Sequence, residues 1–436
     1  MKKAGLGKKE LFTNLLLSAL IGLLIGVLIF AFKFGAEILY ESIDGILTFT
    51  KSQPIYLAVL ILGVVFLSYI SYLLLKKEPF ARGGGIPVAE GLARGKIDFN
   101  PYKVGGKVIL SSYVSYFSSL PLGSEGPSVL LGGVVGRAFN SLKKDKADNT
   151  LIKAGSACAF SAITGAPISG LFFIEEEMHD GIKLKKTLCV LVAILFSSLS
   201  NFLLCLAFNK TFAMFGYELI EKIPFKFYFL AILCGLVAGL FSYLFTKLFT
   251  LCHRLSLTKL KNIPLFVKLV VCFLTCALIC VFVSETRGSG HHLIESIEKG
   301  ALNYKVLLIV LMLKIFMLCL CGSSGATGGM FIPLLAIGSL IGGLLGESFI
   351  ALGVPETVYS GIVLSVTVAF LSGAQQSPLT ALFFSIEAMG GILNAPFTLI
   401  VVLISFLIVK LFKDKPIYDL LFENTCIKVN NDKAVD

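Results

Sequence analysis

An all-α polytopic membrane protein built from two repeats is what this sequence predicts, and three observations carry that reading. The first is composition: 56% of the 436 residues are hydrophobic and only 15% are charged, where soluble domains run near one quarter charged. The second is the recurrence, from end to end of the chain, of apolar runs long enough to cross a bilayer. The third is that glycine- and proline-broken segments in the first part return in the same order in the second. Strands are excluded, because only helices and closed barrels satisfy the backbone in lipid, and these runs are too long and continuous for barrel strands.

Taken in order, Lys2, Lys3, Lys8 and Lys9 precede a first span from Leu11 to about Phe32, so residues 1–50 read as a cytoplasmic N-terminus and first span. A second span covers Ile55 to Leu75. Gly83-Gly84-Gly85-Ile86-Pro87 is a glycine run ending in proline at a helix start, and Tyr102 to Leu120 is an apolar helix rich in Ser and Tyr. Gly123-Ser124-Glu125-Gly126-Pro127 opens a helix that runs to Asn140 and is closed by the polar loop Lys143 to Asn149. Leu151 to Thr164 and Pro167 to Met178 are short apolar segments split by Gly165-Ala166-Pro167. Long spans follow at Thr187 to Phe208, Phe225 to Leu251 and Phe266 to Val283.

The formal charge of +11 lies mostly at segment ends, with Lys410, Lys413 and Lys415 after the last span, which argues against a nucleic-acid partner. By the positive-inside rule both termini are expected in the cytoplasm, with the protein in the plasma membrane. The first apolar run lacks a small-residue cleavage site and reads as an anchor. Most of the eleven cysteines lie in apolar runs, with Cys272, Cys276 and Cys280 at helical spacing. Packing is the expected role, and no metal or cofactor pattern is visible. His179, His253, His291 and His292 lie near segment ends and read as interfacial.

The pattern then starts again. Gly83-Gly84-Gly85, Glu90 and Gly95 recur as Gly288-Ser289-Gly290, Glu295 and Gly300, an offset of 205. Gly123 to Pro127, Gly132 and Gly136 recur as Gly329 to Pro333, Gly338 and Gly342, an offset of 206. Pro167, Leu171-Phe172-Phe173, Glu176 and Met178 recur as Pro378, Leu382-Phe383-Phe384, Glu387 and Met389, an offset of 211. The halves are placed at 51–208 and 264–410, joined by connecting spans 209–263 and followed by a C-terminal helix and tail at 411–436. Broken segments at corresponding places in two halves point to a transport site between repeats.

The stretch around Glu125 is the chemical centre of this arrangement. A helix start leaves amide N–H groups unpaired and carries partial positive charge, so it is an anion site. Glu125 is an anion already built into one. Elsewhere a first-turn Glu is an exposed complement to the helix dipole worth a few tenths of a kcal/mol. Inside an apolar run, a carboxylate is costly and functional.

These landmarks resemble the CLC family of chloride channels and chloride/proton exchangers. The resemblance rests on Gly83-Gly84-Gly85-Ile86-Pro87, Gly123-Ser124-Glu125-Gly126-Pro127, Gly329-Met330-Phe331-Ile332-Pro333 and Lys415-Pro416-Ile417-Tyr418, in that order. It implies two inverted-topology repeats whose broken helices meet at a midplane anion site, in a homodimer with one pathway per subunit. It also implies that Glu125 is the gating glutamate and Glu177 the internal proton relay. Gly84, Gly126, Met330, Phe331, Ile332 and Tyr418 would line the anion positions; without the motif, Tyr418 would read as an interfacial tyrosine. Chloride and protons are then the transported partners. Glu176 is a second acid placed to share the relay, whereas Glu175 reads as a wet helix end. Glu347, Glu387, Lys314 and Arg137 read as structural pairs or interface residues.

One departure bears on selectivity: where the family commonly has a serine whose hydroxyl contacts the central anion, this chain has Gly84. Fluoride exchangers of the family also differ there, commonly with methionine, but Pro127 and Ser128 resemble the chloride-type branch. The nearest rival is a passive chloride channel, and the acid at Glu177 favours exchange. A membrane-embedded enzyme is the rival from another class; no nucleophile elbow or His-Glu-x-x-His motif supports it.

Overall fold

A computed structural model describes residues 8–143, 148–177, 184–215 and 219–423. Lys2, Lys3, Met178, His179 and the tail after 423 therefore lie outside the described residues. Among those described, the chain forms seventeen α-helices, the last a short one at 417–423, and no strand. The first eight are α1 (Lys8–Ser52), α2 (Leu57–Leu75), α3 (Ile86–Ala93), α4 (Pro101–Phe117), α5 (Glu125–Asn140), α6 (Thr150–Thr164), α7 (Pro167–Glu177) and α8 (Leu184–Ala207). The second eight are α9 (Leu230–Leu257), α10 (Leu265–Phe282), α11 (His291–Glu298), α12 (Tyr304–Ser324), α13 (Phe331–Ala351), α14 (Tyr359–Gln375), α15 (Pro378–Ala388) and α16 (Ala395–Leu411). Nine helices among the described residues are long and apolar enough to cross a membrane.

The packing repeats as the sequence does. In the first half α1 lies against α8, α5 against α6, and α6 against α8; in the second, α9 lies against α16, α13 against α14, and α14 against α16. Each half is thus packed as eight helices, with α1 drawn into the first and α9 into the second, beyond the stretches 51–208 and 264–410 that the landmarks mark. Contacts between α2 and α10 and between α7 and α15 join the halves.

The halves are inverted. Asp44 and Thr48, late in α1, bind Arg287 just before α11, both at 2.7 Å. The start of α11 therefore lies at the end of the molecule that α1 runs toward. Arg82, just before α3, instead lines a cavity with His253 at the end of α9 and Lys268 at the start of α10. That end is the one from which α1 departs and to which α2 returns. So α9 arrives where α1 begins, and the second half runs the opposite way.

One expectation needs extending. The apolar run stops at Phe32, but the helix continues to Ser52. Polar residues past that point form exposed ion pairs: Glu37 pairs with Lys210 at 3.0 Å and Asp44 with Arg287 at 2.7 Å. Ion pairing to connecting segments elsewhere in the chain lets the helix carry charges that end a hydropathy run.

Candidate anion pathway

Three helix starts meet. α3 begins after Gly83-Gly84-Gly85, and both Gly83 and Gly85 adopt a positive φ, 80° and 79°, which favours glycine. α5 begins at Glu125 and α13 at Phe331. Gly123 and Gly329 exchange backbone hydrogen bonds of 2.7 and 2.6 Å, and the Gly328 amide donates to the Gly83 carbonyl at 3.2 Å. A Cβ at Gly126 would overlap the Gly84 carbonyl oxygen. Absent side chains are what let the three backbones approach. Their unpaired amides gather partial positive charge in one small volume.

Glu125 lies buried at this convergence. Its Oε1 accepts from the Ser124 hydroxyl at 3.4 Å. Its Oε2 accepts no hydrogen bond. The Ile332 amide lies close by. The loop carrying it is pinned by two buried phenols, since Tyr40 donates to the Leu122 carbonyl at 2.7 Å and Tyr116 to the Gly123 carbonyl at 3.1 Å. Lys33 of α1 lies within electrostatic reach of the carboxylate. Sequence reasoning missed Lys33, Tyr40 and Tyr116. The Ser- and Tyr-rich character of α4 was the available signal for Tyr116.

Met330, Phe331 and Ile332 are buried at the start of α13. The Phe331 ring is held edge-on between Phe160 at 5.2 Å and Phe384 at 5.1 Å. Tyr418, in the helical segment 417–423, is fully buried, and its hydroxyl accepts from Gln375 Nε2 at 3.2 Å. Both Glu125 and Glu177 lie within electrostatic reach of that hydroxyl. The structure thus gathers Glu125, Gly126, Ile332 and Tyr418, with Gly84 against Gly126 and Gly328.

Glu177 is buried at the last described residue of α7, beside Ser377. Glu90 and Asp419 lie within its electrostatic reach, and Arg94 bridges them at 2.6 and 3.6 Å. Glu176 is used differently from what its neighbourhood in sequence implies. Its carboxylate accepts from the Leu379 amide at 2.9 Å, the Thr380 amide at 2.8 Å and the Thr380 hydroxyl at 2.7 Å, capping α15. Glu387 does the same for α7, accepting from the Ile168 and Ser169 amides at 2.9 and 2.8 Å. Both oxygens of Glu176 are thereby committed to another helix.

The remaining candidates fall outside this centre. Arg137 pairs with Asp98 at 2.7 Å, and buried Lys314 donates to the Gly288 carbonyl at 2.8 Å. The fold adds Cys321 to Cys272 and Cys276, and gathers His291, His292 and Glu295, as two groups whose ligand atoms lie within 4.8 Å of one another.

The sequence model of the voltage gated chloride channel family matches residues 66–410. The fold superposes on a slow cyanobacterial Cl−/H+ antiporter with a TM-score of 0.87 at 21% identity, covering 96% of this chain and 99% of that one. A CLC-type fluoride/proton antiporter gives 0.79 at 22% identity over 95% and 98%. A eukaryotic CLC transporter gives 0.77 at 17% identity over 94% of this chain and 74% of the other.

Proposed function

Because this chain belongs to the voltage gated chloride channel (CLC) family of membrane anion transporters, we propose that it exchanges chloride for protons, with Glu125 as the gate and Glu177 as the proton relay. One observation carries the reading: two buried carboxylates, Glu125 and Glu177, lie within electrostatic reach of the Tyr418 hydroxyl. Charged, Glu125 lies beside helix-start amides, its own and that of Ile332, that a chloride ion would otherwise use. Oε2, the oxygen that accepts no hydrogen bond, is the atom left for a proton. A protonated side chain no longer competes for those amides, and chloride can take its place. A proton cannot follow chloride through a ring of positive helix ends, so it needs a titratable path of its own, and Glu177 supplies it. Met330, Phe331 and Tyr418 form the central anion position in this reading. The reading includes a homodimer in the plasma membrane with both termini cytoplasmic.

Chloride flux with simultaneous proton uptake in liposomes tests it. Wild-type protein is expected to drive protons uphill on a chloride gradient. Glu125→Gln should leave passive chloride leak without proton movement, and Glu177→Gln should keep chloride movement while losing the proton. Wild-type chloride flux with no proton movement would replace exchange by the passive channel. Fluoride-driven proton uptake exceeding that driven by chloride would reassign the ion.

A further inference from the structure

We propose that Cys272, Cys276 and Cys321 form a site for a thiophilic divalent metal ion of the zinc and cadmium class, bound between α10 and α12. Cys272 and Cys276 stand one turn apart on α10, so their side chains share a face. Cys321, near the end of α12, meets them from 45 residues further along the chain. Its sulfur lies 3.5 Å from that of Cys272 and 3.9 Å from that of Cys276, and all three sulfurs lie within 4.8 Å of one another. Two thiolates bound at about 2.3 Å to one tetrahedral ion stand roughly 3.8 Å apart. The three sulfurs therefore need to move little to share an ion.

Thiolate ligands select soft ions such as zinc over hard cations. Binding forms three metal–sulfur bonds and releases the three thiol protons to water. Three thiolates around a divalent ion leave one net negative charge, which is costly in an apolar interior unless paired. Lys314, buried on α12 and donating to the Gly288 carbonyl at 2.8 Å, lies within electrostatic reach of Cys276 and Cys321. Its ammonium brings the assembled site to neutrality and favours a divalent ion over a monovalent one. A fourth position stays open, as in zinc sites with three protein ligands. Cys321 also lines the cavity of about 420 Å³ beside Gly84, which gives ion and water a way to that position. Apolar packing accounts for the burial of each cysteine singly, but not for three sulfurs converging beside a buried cation. An ion there ties α10 to the end of α12, from which residues 325–330 lead into α13. That connection is already anchored once, where the Thr327 hydroxyl donates to the Ala81 carbonyl at 2.7 Å.

Cadmium acetate is the probe, added to the purified full-length protein in a non-thiol reductant. Wild type is expected to develop a sulfur-to-metal charge-transfer band in the ultraviolet. Its melting temperature should rise as well, since an ion bound by the folded state alone stabilises that state. Cys321→Ser should bind about a hundredfold or more weakly, because losing a ligand costs more than the roughly 10–100-fold of an outer-shell change. Cys252→Ser, on α9, should keep both the band and the affinity. Cys272→Ser gives an independent reading where Cys321→Ser lowers the melting temperature without metal. A band of equal strength and midpoint in wild type, Cys321→Ser and Cys272→Ser would overturn the site. So would the lack of a band in reduced wild type, or a Cys272–Cys321 disulfide that survives the reductant.

Discussion

At Gly84 the loss of a hydroxyl is a matter of chemistry rather than of space. A Cβ there would meet only the Gly328 carbonyl oxygen, at 3.9 Å. Unlike Gly83 and Gly85, it has no positive φ that only glycine accepts easily. Serine therefore fits. A hydroxyl donor to an ion is worth about 1.5–3 kcal/mol, and its absence leaves backbone amides, which discriminate less by geometry. Gly84→Ser is expected to sharpen the preference for chloride over nitrate and other larger anions. The measurement is relative flux in liposomes, and identical ratios in wild type and variant would show that this position does not set selectivity. The sequence exposed this residue because a motif position lacked its usual donor. It could not expose Tyr40 or Gln375, which enter the site only because helices distant in the chain fold against it.

At the scale of elements, the broken helices α7 and α15 act as a pair. Each begins at a proline, ends near an acid and offers that acid to the start of the other, while Phe172 and Phe383 stack between them at 4.9 Å. A carboxylate accepting two amides at a helix start is both a cap and a dipole complement. Glu176→Gln should lower stability by about 1–2 kcal/mol, read as a lower melting temperature in detergent, and leave proton-to-chloride coupling unchanged. Lost coupling at unchanged melting temperature would return Glu176 to the relay. The breaks that start α3, α5, α7, α13 and α15 were legible because glycine and proline punctuate helices locally. The length of α1 was not, since Lys33, Glu37 and Asp44 look like a span's end until the partners of Glu37 and Asp44, distant in the chain, are known.

For the whole molecule, the offsets in sequence disclosed two halves, and the packing adds α1 and α9 to them. Their inversion is invisible in any single segment, because direction through a membrane depends on how many spans precede it. The cavity end of the molecule is the end where α1 begins, and the basic residues before α1 favour the cytoplasmic side for it. Leu188, Leu191, Leu195 and Leu199 form an exposed stripe on α8, which lipid or a second copy must cover. Cross-linking of single-cysteine variants on this stripe, in liposomes, should yield a covalent dimer with both termini open to protease on one face. A monomer, or termini on opposite faces, would contradict the assembly. The mutual capping of α7 and α15 also sets a timetable for biogenesis. Glu176 and Glu387 are 211 residues apart, and at about 5–20 residues per second of synthesis the first waits roughly 10–40 s for its counterpart. Through that interval the start of α7 sits in or near the bilayer with amides that only a later part of the chain will satisfy. A first half made alone therefore leaves the start of α7 uncapped until the second half is made.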